Sequence, residues 1–236
     1  MVDIGPSRYH HPAVRVLGIE TSTRRGSVAV SANGVVVAAH SHEQPNAHAE
    51  RLLELVERAL ADARVTRHEL ERIAVGVGPG SFTGLRVGIA LAQGIALGLG
   101  RPLLGIGSLL AMARAVPASD RRVRVPVLDA RRGELFVAAY APDGAELFAP
   151  SALTAPDARA ALHTALDGAN AVLVGESAPA LGMDLEVARG DELDLPHAKT
   201  LAVLGATLDP EGARAEPVYV RGPGATLPNL PPSPLG

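Results

Sequence analysis

The chain has 236 residues, 47% of them apolar, and a formal net charge of −3. That length supports a buried core in one domain or two small halves, and the near-balanced charge excludes a protein that grips nucleic acid over a broad basic face of its own. The absence of cysteine rules out disulfides, zinc–thiolate sites and thiol nucleophiles, and it fits a reducing compartment.

Residues 1–14 lack the basic start and apolar core of an export signal and read as a flexible tail, which points to a cytoplasmic chain. A first strand, Val14–Ile19, ends at Glu20. A polar turn, Thr21–Gly26, leads to a second strand, Ser27–Ser31. Asn33-Gly34 then predicts a two-residue hairpin, because both central positions of a type I′ turn need positive φ. Val35–His40 completes a three-stranded meander. His48–Ala63 carries Leu52, Leu55, Val56, Ala59 and Leu60 at helical spacing, with Glu50, Arg51, Glu54, Glu57 and Arg58 opposite. Thr66 and Glu69 form a capping-box pattern, and Ile73–Val77 reads as a buried strand.

The segment GPGSFTG, Gly78–Gly84, opens a helix predicted to run from about Leu85 to Leu99. That helix is apolar nearly all round, so both of its faces should be covered. Its apolar run, Val87–Gly100, is too short for a bilayer span. Ala90, Gly94 and Gly98 form a stripe of small residues that would let another helix approach closely.

The second half repeats the first. VRVLGIETSTRRGSVAV from Val14 aligns with VRVPVLDARRGELFVAAY from Val123, pairing Glu20 with Asp129. Asp143-Gly144 takes the hairpin role of Asn33-Gly34. Further on come a helix near Pro156–Leu166, strands at Ala171–Val174 and near Leu185–Ala188, a helix His197–Leu208 and a short strand Val218–Val220. A meander followed by alternating helices and strands, given twice, predicts two similar α/β lobes over residues 15–115 and 116–221. Residues 222–236 hold five prolines and read as an extended tail.

In such a fold a tight turn after each first strand can hold phosphate on its N–H groups and a hydrated metal on its acidic residue. Glu20, Thr21 and Ser22 occupy that place in one lobe and Asp129 in the other. GPGSFTGLR is the more specific feature. Gly78, Gly80 and Gly84 permit unusual backbone, Ser81 and Thr83 can cap the helix, and its first N–H groups attract anions. A turn needed only for packing explains the glycines equally well. No Lys-Ser/Thr follows, so this is not a Walker A loop. His40, His42 and His48 lack metal-site spacing, and no nucleophilic triad can be picked out. The arginine clusters Arg24/Arg25, Arg121/Arg122/Arg124 and Arg131/Arg132 read as solvated turns or as local patches.

ETSTRRGSVAV, His48-Ala-Glu-Arg-Leu52, GVGPGSFTGLRVGIALAQGIALG, LDARRGELFVAAY and EPVYVRG, in this order over about Arg15–Arg221, resemble the TsaB (YeaZ) family. The resemblance implies two lobes of the actin/Hsp70/sugar-kinase type. It also implies a non-catalytic subunit that pairs with the paralogue TsaD, joins the ATPase TsaE, and forms a homodimer when alone. The assembly it implies makes threonylcarbamoyladenosine 3′ of the tRNA anticodon, with tRNA reached indirectly through the complex. The paralogue's metal-binding HxxxH helix is represented by His48 with Leu52 at the second ligand, so no metal is expected. Glu20 stands where Asp is usual, the Asp129–Gly133 turn has one glycine, and Gly175-Glu176-Ser177 lacks the second glycine of an adenosine-gripping turn. Those departures argue against strong hydrolysis and leave room for weak ATP or ADP binding, with no cofactor required. Expected partner contacts are His48, Leu52, Leu55, Ala90, Gly94 and Gly98. The competing reading is a small-molecule kinase or ATPase of the same superfamily.

Overall fold

The computed structural model describes residues 14–44, 48–210, 212 and 214–220. But for Val14, the tails expected at 1–14 and 222–236 lie outside the described residues. Strands β1 (Arg15–Glu20), β2 (Gly26–Ala32) and β3 (Val35–His42) form an antiparallel meander. Helix α1 (His48–Ala63) leads to β4 (Arg72–Gly76), parallel to β1, and α2 (Phe82–Leu99) leads to β5 (Leu103–Ile106). The sheet order is β3-β2-β1-β4-β5. Helix α3 (Ser108–Ala115) connects to a second meander, β6 (Val123–Arg131), β7 (Glu134–Tyr140) and β8 (Glu146–Thr154). Then follow α4 (Ala155–Leu166), β9 (Ala171–Val174), β10 (Val187–Ala188), α5 (Asp191–Asp194) and α6 (Ala198–Gly205). Sheet two has the order β10-β9-β6-β7-β8. Each strand of sheet two takes the place held in sheet one by the strand five earlier, so the repeat in sequence is a repeat of topology.

Local chemistry explains most boundaries. Asn33 and Gly34 have φ of 53° and 75°, as a type I′ hairpin requires. Thr66 N donates to the Glu69 carboxylate at 2.8 Å, completing the capping box. The second hairpin differs: Ala141 N donates to Ala145 O across a longer loop, and of its residues Gly144 alone has positive φ. Pro142 has no N–H to donate across the hairpin to residue 145, so the pair that would close a two-residue turn is not made. The strand expected near Leu185–Ala188 shortens to Val187–Ala188. Val218–Val220 is no strand. Pro217 offers no N–H, and one backbone bond, Val218 N to Val77 O, ties the segment down. The last helix begins one residue later than expected and stops at Gly205, with His197 as its N-cap.

Two corrections concern helix faces. Leu52 and Leu55 belong to the core of sheet one, and His48 is buried with them, so the three expected partner contacts on α1 face the chain's own interior. The amphipathic period identified a buried face, and this chain's sheet is what buries it. Helix α2 starts at Phe82 and reaches 18 residues, long and apolar enough by length and composition to cross a bilayer. Its inner side, Leu85, Ile89, Ala92 and Ala96, is nonetheless built into the core of sheet one.

The lobes exchange helices. Leu109, Met112 and Ala113 of α3 pack with Leu128, Phe136, Ala138 and Val174 of sheet two. Leu201 and Leu204 of α6 pack with Val16 and Ala74 of sheet one, and Ala198 and Ala202 meet Ala29. The approach is close: a Cβ at Gly18 would lie 2.5 Å from Ala198 O. Ser27 Oγ accepts from Ala198 N at 3.0 Å, Ser31 Oγ donates to Ala202 O at 2.7 Å, and Arg72 donates to the Gly205 and Leu208 carbonyls.

At the start of α6, His197 Nδ1 accepts from Lys199 N at 3.1 Å. Burial, reinforced by Lys199 and Arg25, pushes its pKa down to about 4, against the smaller pull of Glu192 and Asp191. The folded state therefore binds this proton less readily than the unfolded chain does. Its contribution to stability is complete above pH ~6.5 and is lost as pH falls toward about 4. Between pH 7 and pH 5 it should cost about 2 kcal/mol. Urea unfolding at both pH values checks this. His197→Asn, which keeps a capping acceptor and cannot titrate, should show a smaller drop than the parent by that amount.

Candidate functional site

Glu20 ends β1 and is fully buried. Its Oε1 accepts from Ser22 N at 2.7 Å and its Oε2 from Ser108 Oγ at 3.0 Å. Burial raises its pKa despite the hydrogen bonds from Ser22 and Ser108. A Cβ at Gly76 would lie 2.2 Å from Oε2, so β4 closes over the carboxylate and leaves no space for a hydrated cation. Ser108, at the start of α3, is a site residue that sequence reasoning missed.

The turn after Glu20 interlocks with the GPGSFTG loop. Thr21 Oγ1 donates to Gly84 O at 2.8 Å, and Ser22 O accepts from Ser81 N at 2.7 Å. Ser81 caps α2 by accepting from Gly84 N, while Thr83 lies exposed in the first turn and does not cap. Gly78 has φ of 98°, and its carbonyl accepts from Ser108 N. Added Cβ atoms at Gly80, Gly84 and Gly88 would lie 2.2, 2.1 and 2.2 Å from Ser22 O, Thr21 O and Thr21 Oγ1. The Ser81 amide that would face an anion is thus spent on Ser22. Gly76, Gly80, Gly84 and Gly88 recur every four residues, a spacing legible in the sequence that marks this contact.

Glu20, Thr21, Ser22, Gly78, Gly80 and Ser81 are therefore brought together, and Asp129 is not among them. Asp129 lies exposed on β6, and its Oδ1 accepts from Arg131 N at 2.7 Å. It lines an open concavity of about 490 Å³ with Gly133, Glu134, Leu135, Ala155, Ser177 and Ala180. Among the described residues no group of three or more His, Cys, Asp or Glu is placed to hold a metal.

Two further clusters meet the first turn. His48 Nε2 lies 3.0 Å from Thr23 O, and His48 Nδ1 lies 3.2 Å from His42 Nε2. A carbonyl only accepts, so His48 donates from Nε2 and His42 Nε2 must donate to His48 Nδ1. His42 Nδ1 is left to accept from Gln44 N at 3.3 Å. Each of the four ring nitrogens thus has a partner, and none is left for a metal. The second cluster is ionic. Arg24 pairs bidentately with Glu176 of the second lobe. Arg25, nearly fully buried, pairs with Glu43 and with Asp191.

The outward side of α2 is different. Ala90, Gly94 and Gly98 are exposed, and Cβ atoms at Gly94 and Gly98 would meet nothing within 4 Å. Leu97 is 86% exposed and Phe82 52%. Arg86 lies 3.7 Å over the Phe82 ring, and Tyr219 packs against that ring at 5.5 Å between centroids. The stripe expected to face a helix thus does not face the chain's own sheet.

A family model described as "TsaD: tRNA N6-adenosine threonylcarbamoyltransferase" matches residues 36–165. The chain is 33% identical over 220 residues to the tRNA threonylcarbamoyladenosine biosynthesis protein TsaB of Escherichia coli, covering 88% of this chain and 95% of that protein. The solved structure of YeaZ from Pseudomonas aeruginosa is 30% identical with a TM-score of 0.69, covering 87% of this chain and 99% of that one. The activator of 2-hydroxyisocaproyl-CoA dehydratase from Clostridium difficile, at 13% identity and a TM-score of 0.51 over 82% of this chain and 94% of that one, shares the two-lobed fold alone.

Gly80, in the loop packed on the β1 turn, and Gly94, on the outer side of α2, should respond oppositely to substitution. Gly80 does not have positive φ, so its intolerance comes from Ser22 O and not from backbone strain. Gly80→Ala should lower stability by about 1–3 kcal/mol, the usual scale of overpacking, and Gly80→Val by more. Gly94→Ala, in open space mid-helix, should raise it by about 0.5–1 kcal/mol. Chemical unfolding of the variants checks both signs. Loss of anion binding by Gly80→Ala at unchanged stability would make the loop a ligand site instead.

Proposed function

The chain belongs to the TsaB family, and on that premise we propose that it acts in tRNA threonylcarbamoyladenosine biosynthesis as a non-catalytic subunit that binds and activates TsaD. The observation that carries the reading is the outer face of α2. An apolar helix is half built into its own core and presents Ala90, Gly94, Leu97 and Gly98 outward with open space above both glycines. Such a face satisfies itself by close packing against another helix, since small residues let backbones approach and a large exposed Leu needs a cover. TsaD suits the role because a model of that family also matches this chain over residues 36–165, a stretch that runs from β3 through α4 and so includes α1 and α2. A second copy of this chain would use the same face when TsaD is absent. TsaE joins the pair, tRNA is reached through the complex, and the assembly works in the cytoplasm. Leu53, exposed on α1, replaces the inward Leu52 and Leu55 as that helix's contribution.

The non-catalytic half of the reading is supported by the enclosed Glu20 carboxylate and by the Ser81 amide, which is committed to Ser22 O. ATP or ADP is not required, and any binding is weak.

Two measurements test these statements. Gly94→Leu and Gly98→Leu should fold normally by circular dichroism and weaken TsaD binding by about 2 kcal/mol, or ~30-fold in Kd. A folded variant that binds TsaD as the parent does would refute the interface. The purified chain alone should neither modify tRNA nor turn over ATP. Turnover that disappears in Glu20→Ala or Asp129→Ala would sink the non-catalytic reading.

A further inference from the structure

The contact between the lobes has two chemically distinct halves. One is apolar and tight, made by α6 on sheet one and α3 on sheet two. The other is ionic and is gathered on two consecutive residues of the turn that follows β1. Arg24 Nη2 donates to Glu176 Oε2 at 2.7 Å, and its Nη1 donates to Glu176 Oε1. Arg25 Nη2 donates to Asp191 Oδ1 at 2.8 Å, and its Nη1 donates to Asp191 O. Both arginines also face Glu43, at the end of β3, with Arg25 Nη2 2.8 Å and Arg24 Nε 3.7 Å from its carboxylate. Glu176 follows β9 and Asp191 opens α5, so each arginine bridges from the first lobe to a different element of the second. The Arg24 pair is a fork-to-fork contact, the strong and directional form of the interaction. Pairing with Arg24 also holds the Glu176 carboxyl below its ordinary range.

The same turn sets the starts of both exposed helices. Thr23 O accepts from His48 Nε2 at the first residue of α1. Ser22 O accepts from Ser81 N at the cap of α2, and Thr21 Oγ1 donates to Gly84 O one turn on. Four residues in a row, Thr21 to Arg24, therefore contact α2, α1 and the second lobe.

We propose that Arg24 and Arg25 are an inter-lobe latch whose closure positions the starts of α1 and α2, so that residues in the second lobe control the partner-facing surface of the first. The partner half of this statement rests on the TsaD reading above; the latch half does not. Arg24 and Glu176 are positioning residues here, since neither lies on the outer face of α2.

Charge reversal tests both halves. Arg24→Glu and Glu176→Arg each break the pair, and the double variant remakes it with the signs exchanged. In the chain alone, each single variant should speed hydrogen exchange at the Ser81 amide about tenfold, a usual size for coupling between sites, and the double variant should restore protection. Unchanged exchange in both singles would overturn the latch. Against TsaD, each single should weaken binding about tenfold and the double should recover it. If Arg24→Glu and the double bind equally weakly, Arg24 touches the partner directly and the coupling is wrong. If neither single alters the affinity, the coupling is wrong as well. A parent chain that fails to bind TsaD at all would overturn the proposed function, and the exchange measurement would still decide the latch.

Discussion

The first lobe depends on a space too small for a methyl group. Where the turn after β1 crosses the loop and helix that follow β4, backbone lies on backbone, and Gly76, Gly80, Gly84 and Gly88 each stand where a Cβ would meet Glu20, Ser22 or Thr21 at about 2.1–2.2 Å. Removing four side chains lets Ser81 N reach Ser22 O and Thr21 Oγ1 reach Gly84 O. Those bonds fix the turn that follows Glu20 and start α2 in its direction. The rest of the first lobe inherits that direction: the inner side of α2 meets the sheet, and its other small-residue stripe is left facing outward.

The two lobes have used one plan for different ends. Glu20 and Asp129 occupy equivalent places at the end of a first strand, yet one is sealed and the other faces water. The reason lies in what covers each. Sheet one has the glycine loop and α3's Ser108 over its carboxylate, whereas sheet two has no counterpart to α2 between β9 and β10, only a short 3-10 turn at Ala178–Leu181. An anion or a nucleotide held between two matching turns needs both to be open. Here the first is filled by its own chain, while the second lies open with Asp129 and Glu134 among its lining residues.

Much of this was legible in the sequence because it is written in local signals. Asn33-Gly34, the Thr66/Glu69 box, Ser81 and the recurring strand–turn–strand each fix geometry within a few residues. What escaped was decided over long distances. The period of α1 showed that Leu52 and Leu55 must be covered but not by what, since the same stripe would serve a sheet or a partner. Arg24 and Glu176 lie 152 residues apart, and their charges read equally well as solvated turns. Ser108 carries no motif of its own. The stripe at Ala90, Gly94 and Gly98 was seen while the one at Gly84 and Gly88 was not, although the spacing is identical, because only packing tells a crowded glycine from an open one.

The exchange of α3 and α6 has a consequence for synthesis. Sheet one is complete once β5 has left the ribosome, but Gly18, Ala29 and Ala74 on one of its faces are covered by a helix that ends at Gly205. Roughly a hundred residues separate the two events, or ~5–20 s at ordinary elongation speeds. For that interval the nascent first lobe carries an apolar face that α6 has yet to cover. The chain cannot finish either half before it has nearly finished both, and its maturation is therefore post-translational in its final step however early its first strands pair.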